Sequence, residues 1–590
     1  MLSLISGIAL LVHIYSIQYM KNDPFLHRYW AYLGLFCSSM MGLVVADNLL
    51  IVYMFWELVG FSSYLLIGFW FTRDSAAKAS KKAFIMNRIG DIGFLVGLMI
   101  LLSQFNTLDI QSLFGESGLV AKSVIEGGLW KSGASALPEV WLTIVGGALF
   151  LGAVAKSAQF PLHTWLPDAM EGPTAVSSLI HAATMVAAGV FLLARVYPIF
   201  DPFILNVIVV IGGFTAFMAA TIALVQNDIK KILAFSTISQ LGFMMLAMGV
   251  GAYAAGIFHL VTHAFFKCLL FLAAGAVIHE MHHVKEKLNG DFDPQDVNNM
   301  GGLKKYMPVT FVTMLIGSLA LAGIPLTSGY LSKDAILIQS FEWSSEQHVL
   351  LKIFPYLALI TSWLTAFYIA RLIFKVFFGE FKLKKFFNKD IALHEAPAEM
   401  CYPLIILALF CLFPVFSFNP LSFADSWLFS GMPVPKFIEP VEIYHVVIPV
   451  LVNLVAVALI YFASLAYIKQ VKTFKTSGAA FQFLSNQWYF DKIYNSLFVA
   501  PLVSFSKILF RFDRKIIDGF VNLMAEFGVV LSSTSAWIDK YIVDGLVNFM
   551  GSISKWLGNF VRHFQTGRLQ HYLATMLLVV LTFFILRYFI

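Results

Sequence analysis

The stretch LLIVYMFWELVGFSSYLLIGFW, residues 49–70, combines two properties that rarely occur together. It is apolar and about as long as the 20 residues that a helix needs to cross a bilayer. It also contains one carboxylate, Glu57. An ionised group at mid-bilayer costs about 2.5–3.5 kcal/mol on insertion scales, so such a group faces the interior of a bundle and finds a partner there. The stretch therefore predicts a membrane-spanning helix with a polar site inside the membrane.

The composition of the whole chain is typical of a protein that crosses the membrane many times. Of its 590 residues, 59% are hydrophobic and 13% are charged, whereas soluble proteins carry about 25% charged residues. The four cysteines lie in separate apolar runs without metal-ligand spacing, which argues against a cysteine-bound zinc or iron–sulfur site. There is almost no strand pattern and no phosphate-binding loop. We therefore expect no cofactor and no metal in this chain, and we expect any redox group on another polypeptide.

Fourteen apolar runs are long enough to be candidate spans. The first run begins at Met1 without a polar leader or a signal-peptide pattern, so we expect a truncated first span. The candidate spans are 1–20, 30–46, 48–71, 83–103, 140–168, 174–197, 204–225, 229–250, 254–279, 307–342, 351–378, 401–423, 443–468 and 570–590.

Lysine and arginine in the connections predict the orientation. Connections rich in these residues alternate with poor ones such as 104–139, and the short acidic turn 169–173 is an exception. The rich side is expected to be the cytoplasm, or the mitochondrial matrix, with the N-terminus on the opposite side. The rich connections are 21–29, 72–82, 226–231, 280–306, 379–400 and 469–475.

Two of the candidate spans are predicted to be broken. Run 140–168 contains GAVAKSAQFPLHTWLP, and run 307–342 contains LAGIPLTSGYLSKDAIL. Glycine and proline at membrane depth free backbone groups, which is tolerated only where they face protein or a hydrated cavity. Each broken segment holds one lysine, Lys156 or Lys333. Paired broken helices in two halves of a chain indicate an ion path, as in transporters.

Residues 490–569 have a different pattern, in which polar and apolar residues mix at helical spacing. The segment DRKIIDGFVNLM (513–524) recurs as DKYIVDGLVNFM (539–550), and DKIYNSL (491–497) is a weaker third copy. This pattern predicts a long amphipathic helix lying along a surface. The span count places that helix on the side rich in lysine and arginine, and a final span, 570–590, then anchors the end.

Ten ionisable residues are expected near mid-membrane, too many for packing accidents. His259, His263 and Lys267 are spaced at i, i+4 and i+8, so they share one helix face over about 12 Å. Histidine changes charge near neutral pH, and a carboxylate beside a buried lysine controls whether that lysine keeps its proton. The spacing therefore predicts a proton path. The ten residues are Glu57, Arg88, Asp91, Lys156, His181, His259, His263, Lys267, Lys333 and Asp334.

Structural roles are the alternative for each of these residues. Glu57 could be a structural ion-pair partner, the two lysines of the broken spans could cap free carbonyls, and His181 could be a satisfied core histidine. For Arg88 and Asp91, near the start of their predicted span, a local ion pair is the favoured interpretation. The sequence HEMHH (279–283) matches the H-E-x-x-H zinc pattern, but it lies where a span ends, and a histidine-rich interfacial turn is the simpler interpretation.

Several of these segments resemble a known family, the largest antiporter-like subunits of proton-pumping NADH:quinone oxidoreductase. The resemblance covers nearly the whole chain, and its most specific part runs from HTWLPDAMEGPT to HAATM. The other segments that carry it are FWELVGFSSYLLIGFW, HLVTHAFFKCLLFLAAGAVIH, MGGL and GYLSKDAIL.

The resemblance implies an all-α membrane helix bundle with two inverted five-helix repeats, at 30–200 and 201–400. A truncated N-terminal segment would occupy 1–29, additional spans 401–489, the lateral amphipathic helix 490–569 and the anchor 570–590. Family members usually carry two more helices ahead of the first run, and they do not usually carry the HEMHH pattern.

The resemblance also implies residue roles in proton translocation. Glu57 matches the carboxylate that pairs with the central lysine, Lys156 and Lys333 match the lysines of the two broken helices, and His181 matches a bridging histidine. The row of His259, His263 and Lys267 matches the central row, with Arg88, Asp91 and Asp334 as supporting residues.

The predicted function is therefore that of a membrane subunit of the proton-pumping enzyme, with the redox chemistry elsewhere. NADH, FMN, iron–sulfur clusters and quinone are expected on partner subunits. Other antiporter-like membrane subunits are the expected partners, through the lateral helix, together with membrane lipids and no nucleic acid. The alternatives are the large subunit of a sodium/proton antiporter and the membrane subunit of an inorganic-carbon uptake complex. The absence of an import signal favours the bacterial inner membrane over the mitochondrial one.

Overall fold

Helices form at almost every apolar run, which confirms the predicted all-α membrane bundle. The structure is a computed structural model that describes residues 1–132, 135–288, 290–345, 347–383, 393–432, 440–469 and 478–590. The chain divides into two compact units, Met1–Phe490 and Asp491–Ile590. Lysines 384, 385, 389, 472 and 475, which contributed to the predicted orientation, lie outside the described residues.

The described residues of the first half of the first unit form ten α-helices. Capping side chains start several of them; the Asn48 side chain, for example, accepts a hydrogen bond from the backbone N–H of Leu50. The helices are α1 (Leu2–Tyr19), α2 (Leu26–Val45), α3 (Leu49–Ile67), α4 (Asp74–Phe105), the short α5 (Ile110–Phe114) and α6 (Leu119–Lys122), α7 (Val140–Lys156), the short α8 (Trp165–Asp168), α9 (Thr174–Ala182) and α10 (Met185–Arg195).

The second half of the first unit surrounds two helices, α12 and α13, that are buried along most of their length. These helices form the centre of the bundle, which explains why their apolar residues show no single exposed face. The helices of this half are α11 (Pro202–Ala223), α12 (Ile229–Gly249), α13 (Tyr253–Leu288), α14 (Pro308–Ala322), α15 (Ser328–Ser344), α16 (Ile353–Phe377), α17 (Ala398–Phe410), the short α18 (Trp427–Ser430), α19 (Glu442–Tyr467) and α20 (Ala479–Ser485).

Both predicted breaks are present. Helix α7 ends at Lys156, and the freed backbone is satisfied by protein: Phe160 N–H donates to Thr215 Oγ1 at 3.0 Å. Helix α14 ends at Ala322, the following Gly323 closes it with a φ of +77°, and Thr327 caps the start of α15. The backbone at both breaks therefore faces protein, as membrane depth requires. A third break, between α9 and α10 at Ala183 and Thr184, was not predicted.

Residues 104–139, predicted as a connection, contain a small antiparallel sheet. Strands β1 (Val124–Glu126), β2 (Leu129–Ser132) and β3 (Ser135–Pro138) pair in the order β1-β2-β3. The turn between β1 and β2 is Gly127-Gly128, with φ of +60° and +74°, the glycine pair that a tight hairpin favours. Trp130 is buried against Phe105 and so attaches the sheet to the end of α4.

Two other predicted segments differ from the structure. Helix α17 has 13 residues but reaches only Phe410 of the predicted span 401–423, and a short 3-10 turn, Phe413–Val415, follows it. The HEMHH segment is not a turn, because α13 continues through it to Leu288.

The second unit is mostly one helical run that belongs to a segment of 78 residues, Gln487–Phe564. That length is far more than a bilayer crossing needs. Three π turns interrupt the run, and in the weaker copy the π turn begins four residues after Asp491. Its parts are α21 (Phe490–Tyr494), a π turn (Asn495–Val499), α22 (Ala500–Phe512), a π turn (Asp513–Ile517), α23 (Asp518–Ile538), a π turn (Asp539–Val543) and α24 (Asp544–Phe564), and α25 (Leu569–Phe589) follows.

Candidate functional site: a buried row of ionisable groups

Lys156 is the last residue of α7 and is completely buried. Its Nζ lies 3.8 Å from Asp91 Oδ1 on α4 and 5.6 Å from the centre of the Trp56 ring on α3. Trp56 Nε1 donates to the same Asp91 oxygen at 2.6 Å. Three helices therefore hold one buried ammonium against one buried carboxylate.

Among the residues that the structure describes, Glu57 pairs with Arg88 and with no lysine, which corrects the pairing expected from the family resemblance. Its carboxylate pairs with Arg88, whose Nη2 lies 3.2 Å from Asp91 Oδ2. The physical reason is geometric: Arg88 and Asp91 are one turn apart on α4, and Arg88 reaches Glu57 while Asp91 reaches Lys156. The Glu57 side chain is 26% exposed and that of Asp91 is 2% exposed, so Asp91 is the deeper acid.

The local ion pair of Arg88 and Asp91 is present, but not near a helix start. Helix α4 begins at Asp74, before the predicted span 83–103, so both residues lie well inside the helix. Arg88 therefore links two carboxylates inside the bundle rather than capping a helix end.

Gly60 provides space for this cluster, a role that the sequence analysis missed. A Cβ at Gly60 would lie 2.6 Å from Lys156 Nζ and 2.8 Å from Arg88 Nη2. Gly60 lies three residues after Glu57 on α3, so the signal was a glycine on the helix face of the carboxylate.

His181 on α9 is completely buried, and its ring lies 4.6 Å from the ring of Phe271. Among the described residues, neither of its ring nitrogens has a hydrogen-bond partner, so the satisfied core histidine that was the structural alternative is not observed. A buried polar group of this kind is commonly satisfied by an internal water.

The central row on α13 is held by neutral polar groups. Lys267 donates to Ser236 Oγ and, at 3.4 Å, to the carbonyl of Leu233. His259 contacts Gln240 Oε1 and Ser332 Oγ, each at 2.9 Å. The spacing of Ser236 and Gln240 (i, i+4) in an apolar span was the signal that could have identified them.

Lys333 lies on α15, directly after the second break, and is also buried. Its Nζ is 5.4 Å from the centre of the Phe243 ring, and it has no hydrogen-bond partner within the described part of the chain. Asp334, its neighbour in sequence, is buried as well. The second broken helix therefore places an amine and an acid side by side at membrane depth.

Electrostatic interactions connect most of the row. The charge of Lys267 acts on His181, on His263 and on His259, and the charge of Lys333 acts on His259. The groups that act on Lys156 are Asp91 and Arg88. The structure thus connects five of the predicted residues in one row, His181, His259, His263, Lys267 and Lys333. It places Lys156 in a separate cluster on α3, α4 and α7.

Lys230 is a second residue whose role the sequence analysis missed. It was counted with the exposed lysines of the connection 226–231, but it is buried and donates to the carbonyls of Met170 and Gly172. The lysine therefore caps free carbonyls next to the first broken segment. The signal was its place in the first turn of α12, directly after the capping residue Asp228.

Lys230 also lines a cavity of about 590 Å³ at the ends of α1, α9, α12 and α13. The histidines of the HEMHH segment line the same cavity, whereas Glu280 accepts the backbone N–H of His394 at 3.0 Å. Among the described residues, no group of three potential ligands is placed to hold a metal ion. The titratable and charged residues of the cavity are Tyr19, Asp23, Arg73, Glu171, Lys230, His279, His282, His283, Lys285, Glu286 and Asp293.

The fold and this buried row define an antiporter-like membrane protein. The family model described as NADH:quinone oxidoreductase/Mrp antiporter, TM, matches residues 46–361. A second model, NADH-Ubiquinone oxidoreductase (complex I), chain 5 N-terminus, matches residues 1–30. The chain belongs to this family of NADH:quinone oxidoreductase and Mrp antiporter membrane proteins.

Its relatives over most of the chain are chain 5 subunits. The NAD(P)H-quinone oxidoreductase chain 5 of Picosynechococcus sp. is 43% identical over 558 residues, which are 88% of this chain and 79% of the relative. The chloroplastic NAD(P)H-quinone oxidoreductase subunit 5 of Marchantia polymorpha is 40% identical over 100% of this chain and 86% of its own length. The NADH-ubiquinone oxidoreductase chain 5 of Chondrus crispus is 39% identical over 99% of this chain and 84% of its own length.

Two solved structures are similar in fold. The Mrp complex from Dietzia sp. DQ12-45-1b has a chain with a TM-score of 0.66 and 22% identity; the match covers 90% of this chain and 55% of that one. The membrane-bound sulfane sulfur reductase, an archaeal respiratory membrane complex, has a chain with a TM-score of 0.55 and 24% identity, covering 69% of this chain and 76% of that one. At these identities the likeness supports the fold alone.

Proposed function

We propose that the chain is a proton-translocating membrane subunit of an NAD(P)H:quinone oxidoreductase and that the buried row carries the protons. Membership in the family and the similarity to chain 5 subunits support the assignment to the enzyme. The observation that supports the path is the environment of Lys267, which is completely buried, bound by a hydroxyl and a carbonyl, and preceded by two histidines on its helix face.

The chemistry follows from the groups in the row. An imidazole accepts a proton at one nitrogen and releases one at the other. His259 contacts polar oxygens through both nitrogens, and the buried nitrogens of His181 and His263 offer two more stations. Lys267 and Lys333 are the amines at which a proton is held. Asp91, with Glu57 behind Arg88, controls the charge at Lys156.

We further propose that the redox groups lie on partner subunits. NADH, FMN, iron–sulfur clusters and quinone belong there, and this chain contributes proton transfer only. The proposed location is the bacterial inner membrane, with the second unit on the cytoplasmic side. In that arrangement the helical run Asp491–Phe564 lies along other antiporter-like membrane subunits. Its length supports this arrangement, because a helix of that size cannot be accommodated as a single crossing.

The direct test is Lys267→Ala in the assembled complex, in vesicles that oxidise NADH. We expect proton translocation per electron pair to fall and coupled electron transfer to slow by roughly 100-fold, the scale of a lost acid–base group. Lys305→Ala, at an exposed lysine, is the control. Unchanged translocation in an assembled Lys267→Ala complex would reject the proposed path.

The same vesicles distinguish the proposed redox-driven pump from the alternative function, a sodium/proton antiporter. Without an electron donor, an imposed sodium gradient should produce no pH gradient if the chain is part of a redox-driven pump. A sodium-driven pH gradient that disappears with Lys267→Ala would favour the antiporter. Deletion of residues 513–569 tests the lateral placement, since we expect it to impair assembly or coupling.

A further inference from the structure

The HEMHH segment places two histidines one turn apart on α13. His279 and His283 are spaced at i and i+4, so their side chains lie on one face of the helix. Their ring centres are 4.6 Å apart, and the two ring planes cross at 80°. Both residues line the cavity of about 590 Å³ that Lys230 also lines. The helix therefore presents two neighbouring imidazoles to an open polar space.

The separation of the two rings fits one shared metal ion. Zinc binds an imidazole nitrogen at about 2.0–2.1 Å and prefers tetrahedral angles. Two imidazoles bound to one such ion have ring centres about 5 Å apart, close to the observed separation. Two histidines one turn apart on a helix are also the ligand pair of the H-E-x-x-H zinc pattern. Chelation by His279 and His283 therefore needs only small rotations of the two rings.

Glu280, the acid of the zinc pattern, has a different role in this fold. Its side chain is buried and accepts the backbone N–H of His394 at 3.0 Å. A metalloprotease uses this glutamate as the general base that activates a zinc-bound water. The HEMHH segment thus keeps the metal-binding pair of the pattern, while its acid is engaged in a structural hydrogen bond. A metal ion bound here has no hydrolytic base beside it.

Glu286 is placed to attract a cation to the pair. It is exposed and lies seven residues after His279, which puts it on the same helix face, and its charge acts on His279. Two other acids of the cavity, Asp23 and Glu171, already accept side-chain hydrogen bonds. Carboxylate oxygens are ordinary zinc ligands. The carboxylates of the cavity also outnumber its cationic side chains, which are Arg73, Lys230 and Lys285.

We propose that His279 and His283 form a binding site for Zn²⁺ in this cavity, with Glu286 and water completing the coordination. Within the described residues, no group of three ligands already stands in place, so Glu286 has to turn toward the pair when the ion binds. A site of this kind is weaker than a preformed site of three or four protein ligands. The ion is therefore an exchangeable ligand from solution and not a resident cofactor.

Zinc binding also affects proton transfer, and this consequence rests on the proposed function. A metal-bound imidazole is neutral, and its bound nitrogen is not free to accept a proton. Thr174, the first residue of α9, lines the same cavity, and His181 follows it by seven residues on the same helix face. Zinc in the cavity is therefore placed to slow the supply of protons to the Lys267 row.

Zinc binding is measured on the intact complex with radioactive Zn²⁺, after dialysis against a chelator. We expect His279→Asn and His283→Asn each to lose one bound ion per chain, because chelation needs both rings. His283→Cys should retain that ion, since a thiolate is also a zinc ligand. His282→Asn is the matched control: His282 lines the same cavity but lies about 100° around the helix from His283, and its loss should leave zinc binding unchanged.

Two results would overturn the site: zinc binding that persists in both asparagine variants at positions 279 and 283, or an equal loss of zinc in His282→Asn. A failure of His283→Cys to bind zinc would also count against metal ligation, because it would attribute the loss in His283→Asn to altered packing.

The effect on proton transfer is measured separately in vesicles that oxidise NADH. Saturating Zn²⁺ should slow proton translocation by about two-fold in the unaltered complex and should leave His283→Asn unaffected. Equal slowing in both would reject an action of zinc through this site. Lys267→Ala should bind zinc normally, so a failure of the proton path and a failure of the zinc site give different results.

Discussion

The two buried lysines of the first unit, Lys156 and Lys267, are held in different ways. Lys156 lies 3.8 Å from Asp91 in a cluster that also contains Arg88 and Glu57. Lys267 is bound by Ser236 and the Leu233 carbonyl, and no carboxylate acts on its charge within the described residues. Both side chains are completely buried, so the difference lies in the partner and not in the depth.

The two lysines therefore respond to different changes. A neighbouring carboxylate stabilises the charged amine, and neutral acceptors do so less. The charge at Lys156 therefore depends on where the Asp91 carboxylate stands, and that position depends on Arg88 and Trp56. The charge at Lys267 depends on its burial and on the hydroxyl and carbonyl oxygens that bind it. The Lys156 cluster is therefore suited to controlling the charge of its lysine, and the Lys267 row is suited to transferring protons.

The largest effect is expected at the acid of the Lys156 cluster. Asp91→Asn removes the carboxylate nearest to Lys156, and losing one partner of a buried ion pair costs about 3–5 kcal/mol. Glu57→Gln removes the more exposed acid and should cost less. We expect proton translocation to fall much more in Asp91→Asn than in Glu57→Gln, as measured by the pH gradient per NADH oxidised.

Asp74→Asn, at the exposed start of the same helix, is the control for this pair. If Glu57→Gln were the more damaging change at equal assembly, then Glu57 and not Asp91 would be the acid that controls Lys156. Glu57 would then act on Lys156 through Arg88, which contacts both carboxylates.

A smaller effect is expected from the neutral partner of Lys267. Ser236→Ala removes one acceptor and leaves the Leu233 carbonyl; a hydrogen bond to a charged group contributes about 1.5–3 kcal/mol. We expect translocation to slow by roughly tenfold, less than in Lys267→Ala, since about 1.4 kcal/mol corresponds to a factor of ten in rate.

Ser239→Ala is the matched control, because Ser239 is buried on the same helix and donates to the Ala216 carbonyl. Equal slowing in the two serine variants would mean that the effect arises from packing on α12. The hydroxyl of Ser236 would then have no special part in proton transfer.

A steric change tests the Lys156 cluster without removing a charge. In Gly60→Ala the new methyl group would lie 2.6 Å from Lys156 Nζ, and the flexible amine must move. We expect a decrease of a few-fold in translocation, with assembly retained, because overpacking typically costs about 1–3 kcal/mol. Gly34→Ala, where the added carbon meets nothing within 4 Å, should have no effect. A Gly60→Ala variant as active as Gly34→Ala would show that the position of the ammonium is not critical.

Much of the fold follows from the sequence because apolar runs and breaks are local signals. The Gly and Pro residues near Lys156 and Lys333 mark both breaks, and the recurring Asp-Gly segments mark the long helical run. The third break, after Ala182, carries no glycine or proline. Its stabilisation therefore comes from the packing of the surrounding helices and not from a local sequence signal. Helices α4 and α13 extend beyond the predicted spans 83–103 and 254–279. Polar residues near the membrane surface continue each helix after the apolar run has ended.

Residue identity indicated which groups to place in the candidate site, but not how they pair. Glu57 is the one charge in an apolar span and so attracted the role of partner, whereas Asp91, which lies nearer to Lys156, was interpreted as a local ion pair. Pairing depends on the rotation of α3, α4 and α7 against one another, which one sequence does not contain. Lys230 was misjudged for the same reason, because its burial depends on the broken segment that packs over it.

The smallest effect is expected at the cavity lined by Lys230 and the HEMHH histidines. Its lining includes the first residue of α9 and the start of α12, the helices that carry His181 and Ser236, and no residue of α7. The cavity is therefore placed to serve the Lys267 row rather than Lys156. Replacing His279, His282 and His283 by asparagine removes three imidazoles, each of which can accept a proton at one ring nitrogen and release one at the other. We expect the translocation rate to fall by about two-fold, with His348→Asn, an exposed site, as the control. Combining the triple variant with Ser236→Ala or with Gly60→Ala then shows which lysine the cavity supplies with protons. If the cavity supplies Lys267, the triple variant should alter the effect of Ser236→Ala and leave the effect of Gly60→Ala unchanged. The reverse pattern would assign the cavity to Lys156.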